Sequence, residues 1–435
     1  MKLSRYTIIE KNSNGNYIVF STITRAVVML KQKEFELLSN GIRSDCISDS
    51  EYVDLLNKHI IVDDELNEDN YVDFDVNYDR LTTKTFTSFI ALSTLCNFSC
   101  SYCYEKGQVS LKNRMSKENI DRLIVWYKKM VTAGEYKTCH IELYGGEPLL
   151  FYEDLHYFLV NLKASLVDIG VSLELGMISN GYLLDREKAK FLVDMGLKET
   201  QITIDGVKEI HDVRRPLKNG NGTFDKIINN IKTNINSGIS FVIRISFDST
   251  NIKDIEELVK FLDRENIHKN IILYFAPIHQ TYQQLTDNCS FCSKAVIKDD
   301  DIIIETMIKL YRIAQQYGYN IPYCYTDGPC MTVSKDSCLI SPCGDLYKCV
   351  EMIDKKELCI GNALNGGYSS RYYDFVSAPI LKKCLDNHCI FVTMCGGGCL
   401  MQSLMETGNI NEPLCNKKML ERVNRALLRM NFDKV

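Results

Sequence analysis

At 435 residues the chain is too long for one ordinary domain, and two or three domains with an ample core are expected. A 45% hydrophobic and 25% charged composition excludes long-range disorder. A net charge of −5 argues against nucleic acid as a partner, and no apolar run approaches the roughly 18 residues of a membrane helix.

Residues 1–80 read as a small α+β unit. Stretches 6–10 and 16–20 flank Asn12-Ser13-Asn14-Gly15, a hairpin signal; 26–30 is a further strand, 33–38 and 49–57 are helical, and Ile60-Ile61-Val62 closes the unit. Asp63, Asp64, Glu65, Glu68, Asp69, Asp73 and Asp75 follow with no basic residue among them, which reads as a solvated connector. Behind the charge of Met1-Lys2-Leu3-Ser4-Arg5-Tyr6 there is no apolar block, so the expected setting is cytoplasmic and reducing. There, 18 cysteines serve metals or clusters rather than disulfides.

From Phe86 the pattern changes. Strand candidates at 88–92, 140–144, 173–178, 201–204, 241–246 and 271–275 alternate with 3.6-periodic stretches at 117–131, 152–167, 185–195, 224–235 and 252–266. Such alternation implies parallel strands joined by right-handed crossovers, hence an α/β fold with a partial barrel of six βα units, open on one side. Reactive residues then sit at the carboxyl ends of strands. Beyond about 320 the chain is short in period, rich in Gly and Cys, and expected to have little core of its own; eleven cysteines lie from Cys324 to Cys415.

Cys96-Asn97-Phe98-Ser99-Cys100-Ser101-Tyr102-Cys103 follows the first barrel strand directly. Three thiolates on one loop suit an iron–sulfur cube with one iron left open; zinc with a remote fourth ligand is the competing use. The next strand ends in Gly145-Gly146-Glu147-Pro148, where backbone carbonyls and the Glu147 carboxylate are acceptors suited to an ammonium group.

With these two motifs one βα unit apart, the chain resembles the radical S-adenosylmethionine (SAM) superfamily. The resemblance implies a TIM-like partial (βα)6 barrel whose cysteine loop holds a [4Fe–4S] cluster. SAM would bind the open iron, its amino group at Gly145, Gly146, Glu147 and Pro148, with Tyr102 near the adenine. Ser179, Thr203 and Arg215 stand where the family's strand ends contact SAM ribose and carboxylate. One electron, from a donor such as flavodoxin or ferredoxin, would split SAM to a 5′-deoxyadenosyl radical.

The tail resembles the SPASM extension of peptide-modifying members, which carries two auxiliary [4Fe–4S] clusters, three clusters in all. Cys330, Gly344 and Cys349, then Cys389, Cys395, Cys399 and Cys415, follow its spacing. By the family's pairing Cys324, Cys330, Cys349 and Cys399 would hold one cluster. Cys389, Cys395 and Cys415 would hold the other with either Asp386, at the family's cysteine position, or Cys384. A pair of zinc ribbons is the alternative. Cys46, Cys139, Cys289, Cys292, Cys338, Cys343 and Cys359 are left without a role.

The implied domains are 1–80, 84–300 and 310–435. The first resembles the winged-helix-like leader-recognition unit of ribosomal peptide maturases, whose exposed strand can take up an extended leader by edge addition. The expected function is cross-linking (C–S or C–C) of a precursor peptide with a leader. Sulfatase maturation to formylglycine and a non-catalytic iron–sulfur electron carrier are the other readings. No catalytic base is assigned.

Overall fold

The structure, a computed structural model, describes residues 1–41, 47–103, 105, 114–267, 271–279, 295–326, 330–412 and 414–433; Cys46, Cys289, Cys292 and Asp327 lie outside them. The chain falls into two compact units, one of Met1–Leu81, Ile321–Cys330 and Ala378–Val435, the other of Thr82–Asn320 and Met331–Ser377. The segment 310–435 is thus shared between the two.

In the first unit β1 (Lys2–Leu3) pairs with β5 (Ile61–Val62), and β2 (Thr7–Lys11), β3 (Tyr17–Ser21) and β4 (Val27–Leu30) form an antiparallel sheet in that order. The hairpin turn is closed by the Asn12 side chain, which accepts from the Asn14 and Asn16 N–H groups, with Gly15 at φ +84°. Helices α1 (Gln32–Ser39) and α2 (Asp49–Asn57) follow, the latter opened by a Ser48/Glu51 capping box.

The acidic stretch is a solvated connector only at its start, where Asp63, Asp64 and Glu65 are exposed; the rest becomes helix α3 (Glu68–Leu81). Glu68 and Asp69 sit in its first turn, where the helix dipole favours them. The Glu68 carboxylate, 7% exposed, accepts from Ser4 Oγ at 2.5 Å and from the Arg5 N–H. Asp69 accepts from Tyr6 Oη at 2.7 Å and pairs with Arg5.

The second unit carries a ten-stranded sheet. Its parallel part is β6 (Thr85–Ala91), β7 (Thr138–Tyr144), β8 (Ser172–Ser179), β9 (Leu197–Thr203), β10 (Ser240–Phe247) and β11 (Ile271–Pro277), neighbours in chain order. Helices α4 (Lys117–Ala133), α5 (Tyr152–Val167), α6 (Arg186–Met195), α7 (Lys208–Arg214), α8 (Phe224–Asn234), α9 (Ile255–Arg264) and α10 (Asp300–Gln316) make the crossovers and flanks. Their apolar faces are buried: Ile120, Leu123, Ile124, Tyr127 and Val131 on α4 recur at helical spacing. The barrel's β6 edge is not open. β12 (Ser337–Ile340) adds parallel to it, Cys338 opposite Ser88, and β13 (Asp345–Tyr347), β14 (Gly361–Asn362) and β15 (Gly367–Tyr368) continue antiparallel. Short helix α11 (Arg371–Val376) ends the unit.

The chain re-enters the first unit as α12 (Ile380–Asp386), α13 (Val392–Cys395), α14 (Leu400–Thr407) and α15 (Lys417–Phe432). Ile8, Ile18 and Phe20 pack with Phe391, Met394, Leu420 and Leu428 in one core. Glu10 bridges Arg425 at 2.5 Å and Arg429 at 2.6 Å. The tail is therefore not poor in core, as its weak periodicity implied; its apolar residues are buried by partners far away in sequence.

Glu68→Ala leaves the Ser4 hydroxyl and the Arg5 N–H without their acceptor, at a cost of about 1–3 kcal/mol. Hydrogen exchange in β1 and α3 is expected to quicken while that in β6–β11 stays as it was.

Candidate functional site

At the carboxyl ends of β6, β7, β8 and β9 lies a cavity of about 470 Å³. Cys96, Cys100, Cys103, Tyr102, Gly145, Gly146, Ser179, Thr203 and Arg215 all line it. Glu147 and Pro148 do not.

The cysteine loop has no regular structure of its own, and two neighbours hold its backbone. On one side Ser99 N–H donates to Pro216 O at 2.8 Å, Ser101 N–H to Arg214 O at 3.1 Å and Lys218 N–H to Asn97 O at 3.0 Å. On the other, Gly146 N–H donates to Ser93 O and Glu147 N–H to Leu95 O, in the segment leading into Cys96. The glycines are needed for this approach. A Cβ on Gly145, which sits at φ +106°, would stand 2.3 Å from Ser93 O, and one on Gly146 2.4 Å from Leu95 O.

The Glu147 carboxylate points inward, 1% exposed. Ser179 Oγ donates to it at 2.9 Å, Asn180 N–H at 2.8 Å and Leu149 N–H at 3.1 Å. Burial pushes its pKa up, and these donors oppose the rise. In the structure its oxygens brace the ends of β7 and β8, and the carboxylate acts electrostatically on Cys96. Ser179 is likewise committed, donating to Glu147 and accepting from Gly181 N–H at 3.0 Å.

Tyr102 is half-buried with its hydroxyl between two charges. It donates to Asp205 Oδ2 at 2.5 Å and accepts from Arg215 Nη1 at 2.6 Å. Asp205, fully buried, also meets Arg214, whose Nη2 pairs with the fully buried Asp248 at 2.9 Å. Arg214, Asp248 and Lys218 were not expected at the site, and Asn180 was expected only as part of the Ser179-Asn180-Gly181 strand end. Asn180 donates to Asn97 Oδ1 at 2.8 Å beside Cys96, and Lys218 lines the cavity. Arg214 adjoins Arg215 and Asn180 adjoins Ser179, so adjacency to a motif residue was the available signal.

Burial raises the Cys96 thiol to about 11 and that of Cys103 to about 12. Such thiols lose their protons on binding a metal. Three thiols on one loop, a glycine turn, the Thr203 hydroxyl and a guanidinium beside Cys100 fit a [4Fe–4S] cluster with SAM. Among the tail residues, Cys324, Cys330, Cys384, Asp386, Cys389, Cys395, Cys399 and Cys415 belong to the first unit and Cys349 to the second. In the second unit Cys349 shares the surroundings of Tyr144 with Cys103. Among the described residues no three histidine, cysteine or carboxylate side chains close round a single metal ion, and no helix is long and apolar enough to cross a membrane.

Ser179→Ala removes one donor from Glu147 and is expected to cost about 0.5–1.5 kcal/mol. Glu147→Ala strands three donors and is expected to cost about 3 kcal/mol or more. Thermal unfolding of the two variants without cofactor checks the order.

The profile of the radical SAM superfamily matches residues 90–262. The chain is 28% identical over 173 residues to the Fe-coproporphyrin III synthase of Methanosarcina barkeri, covering 40% of this chain and 39% of that protein. It is 26% identical over 189 residues to the cysteine-type anaerobic sulfatase-maturating enzyme of Clostridium novyi (42% and 49%). It is 26% identical over 173 residues to the sporulation killing factor maturation protein SkfB of Bacillus subtilis (39% and 38%). The chain thus spans about half or less of the length of these curated relatives. Among solved structures, anSMEcpe with bound AdoMet has a TM-score of 0.62 at 19% identity, covering 80% of this chain and 99% of that one. Streptococcus suis SuiB bound to S-adenosylmethionine has a TM-score of 0.55 at 14% identity, covering 96% and 99%. With the cysteine loop, the Gly-Gly-Glu-Pro turn and the barrel in place, residues 90–262 of the chain carry a radical SAM domain.

Proposed function

We propose that the chain is a maturase that modifies a ribosomally made precursor peptide, forming an intramolecular C–S or C–C cross-link, with SAM, one SAM-binding [4Fe–4S] cluster and two auxiliary ones. The observation that carries a peptide over other substrates is the edge of β4. Its outer side pairs with no strand among the described residues. A cleft runs beside it, lined by Val27, Val28, Met29, Leu30, Leu55 and the acids Glu34, Glu51 and Asp54. An unpaired edge with apolar pockets takes an extended segment by strand addition. Three carboxylates against Lys58 favour a segment that carries Lys or Arg. Residues 1–80 are accordingly read as the leader-recognition part. SuiB, of like fold, has been solved bound to its precursor peptide SuiA. Sulfatase maturation uses the same barrel but gives this cleft no task.

When bound, the cluster and SAM supply a 5′-deoxyadenosyl radical that takes a hydrogen atom from the substrate. The chain's own residues hold the geometry. Cys96, Cys100 and Cys103 provide the ligands, and Gly145 and Gly146 bring the turn to the cavity. Tyr102, fixed by Asp205 and Arg215, forms a rigid wall, and Thr203 offers a hydroxyl at the mouth of β9. Electrons would come from a small donor such as flavodoxin or ferredoxin.

Replacing Cys96, Cys100 and Cys103 together by Ala is expected to abolish 5′-deoxyadenosine formation, read by chromatography; continued formation refutes the loop's role. Anaerobic reconstitution of the native chain should give about twelve irons if all three clusters are four-iron, and about eight in the triple variant. Asp54→Lys lies on the cleft surface and is expected to weaken binding of the genomically adjacent small peptide at least several-fold, with SAM cleavage in its absence unchanged. Mass spectrometry of that peptide, co-expressed with the enzyme, identifies the bond. An unmodified peptide beside a modified sulfatase overturns the proposal.

A further inference from the structure

The tail departs from its family's spacing at one place, Asp386, and the local fold shows what replaces the missing thiol. Helix α12 ends in a Schellman motif. His388 takes the left-handed conformation at φ +51°. Its N–H donates to Leu385 O at 2.8 Å, and the Cys389 N–H donates to Cys384 O at 3.0 Å. In this motif the side chains just before and just after the reversal come together; here they are those of Cys384 and Cys389.

Asp386 lies on the same last turn, two residues on, so it projects about 200° away round the axis. It is exposed, whereas Cys384 is half-buried. The neighbours that act electrostatically on the Cys384 thiol are Cys389, Cys415 and the adjacent Lys383. Two further contacts hold the Cys415 segment, one to α12 and one to the glycine turn that follows Cys395. Lys383 pairs with Glu412 at 2.5 Å. Gly398 lies so close to Leu414 that a Cβ would stand 2.1 Å from its carbonyl oxygen. Cys395 and Cys389 belong to one apolar cluster.

We infer that Cys384, and not Asp386, is the fourth ligand of an all-thiolate site completed by Cys389, Cys395 and Cys415, which takes a four-iron cluster. The inference rests on the proposal above that the tail carries auxiliary clusters. On binding, Cys384 gives up its proton to solvent and bonds iron through sulfur. A thiolate there gives a softer site than a carboxylate. The Schellman reversal holds two of the four sulfurs before any metal arrives.

The test uses the full chain, reconstituted anaerobically in the background of Ala at Cys96, Cys100 and Cys103, where only tail clusters remain. Asp386→Ala is expected to keep the iron and the electron paramagnetic resonance signals of that background. Cys384→Ala is expected to lose about four irons or to show a changed cluster signal. Alkylation of the unmutated chain needs no variant to fold. Cys384 should be protected together with Cys389, Cys395 and Cys415 when iron is bound, and should react after chelation. Iron loss in Asp386→Ala with retention in Cys384→Ala overturns the inference. So does equal alkylation of Cys384 with and without iron. A background protein holding no tail iron at all refutes the auxiliary clusters themselves, a different failure visible before any comparison of Cys384 with Asp386.

Discussion

The site depends on a loop that cannot hold itself. Residues 96–103 form neither helix nor strand, yet three thiols on it have to keep fixed separations. The backbone supplies the rigidity: hydrogen bonds to 214–218 on one flank, and on the other the glycine turn packed against 93–95. Backbone contacts of this kind are indifferent to side-chain identity except where bulk intrudes. That explains why glycine is required at Gly145 and Gly146 while Asn97, Ser99 and Ser101 present ordinary polar side chains.

Charge is organised round the same loop. Arg214 lies between two fully buried carboxylates, Asp205 and Asp248, and the Tyr102 hydroxyl extends the network to Arg215 beside Cys100. A buried pair is weak evidence of stability by itself, but removing one partner leaves an uncompensated charge in a low dielectric. The network therefore fixes the ring of Tyr102 more firmly than packing alone would. Glu147 does the same for the ends of β7 and β8, its oxygens held by Ser179, Asn180 and Leu149.

Much of this was legible from residue order. The six parallel strands announced themselves as apolar runs separated by helical periods, and Cys96, Cys100 and Cys103 were plain from spacing. What stayed hidden depends on partners distant in sequence. An acidic stretch looks solvated until Ser4, Arg5 and Tyr6 are seen to receive Glu68 and Asp69. The two-residue β1 is too short to carry a period. Cys338 gives no hint that its strand joins the barrel beside Ser88. Glu147 shows a different limit: the motif names the residue, but only the fold reveals that Ser179, Asn180 and Leu149 converge on its buried carboxylate. The open choice between Cys384 and Asp386 needed a helix phase and a left-handed residue, neither of which composition provides.

The pairing of β12 with β6 has a consequence for biogenesis. Thr87 and Ser337 are 250 positions apart, yet they lie side by side in one sheet. During synthesis the ribosome delivers β6 through β11 well before the strand that covers β6 emerges. The nascent barrel therefore waits with a bare flank, of the kind that recruits stray strands. Late translation, not the early cysteine loop, is then the interval in which this protein is most exposed to misassembly.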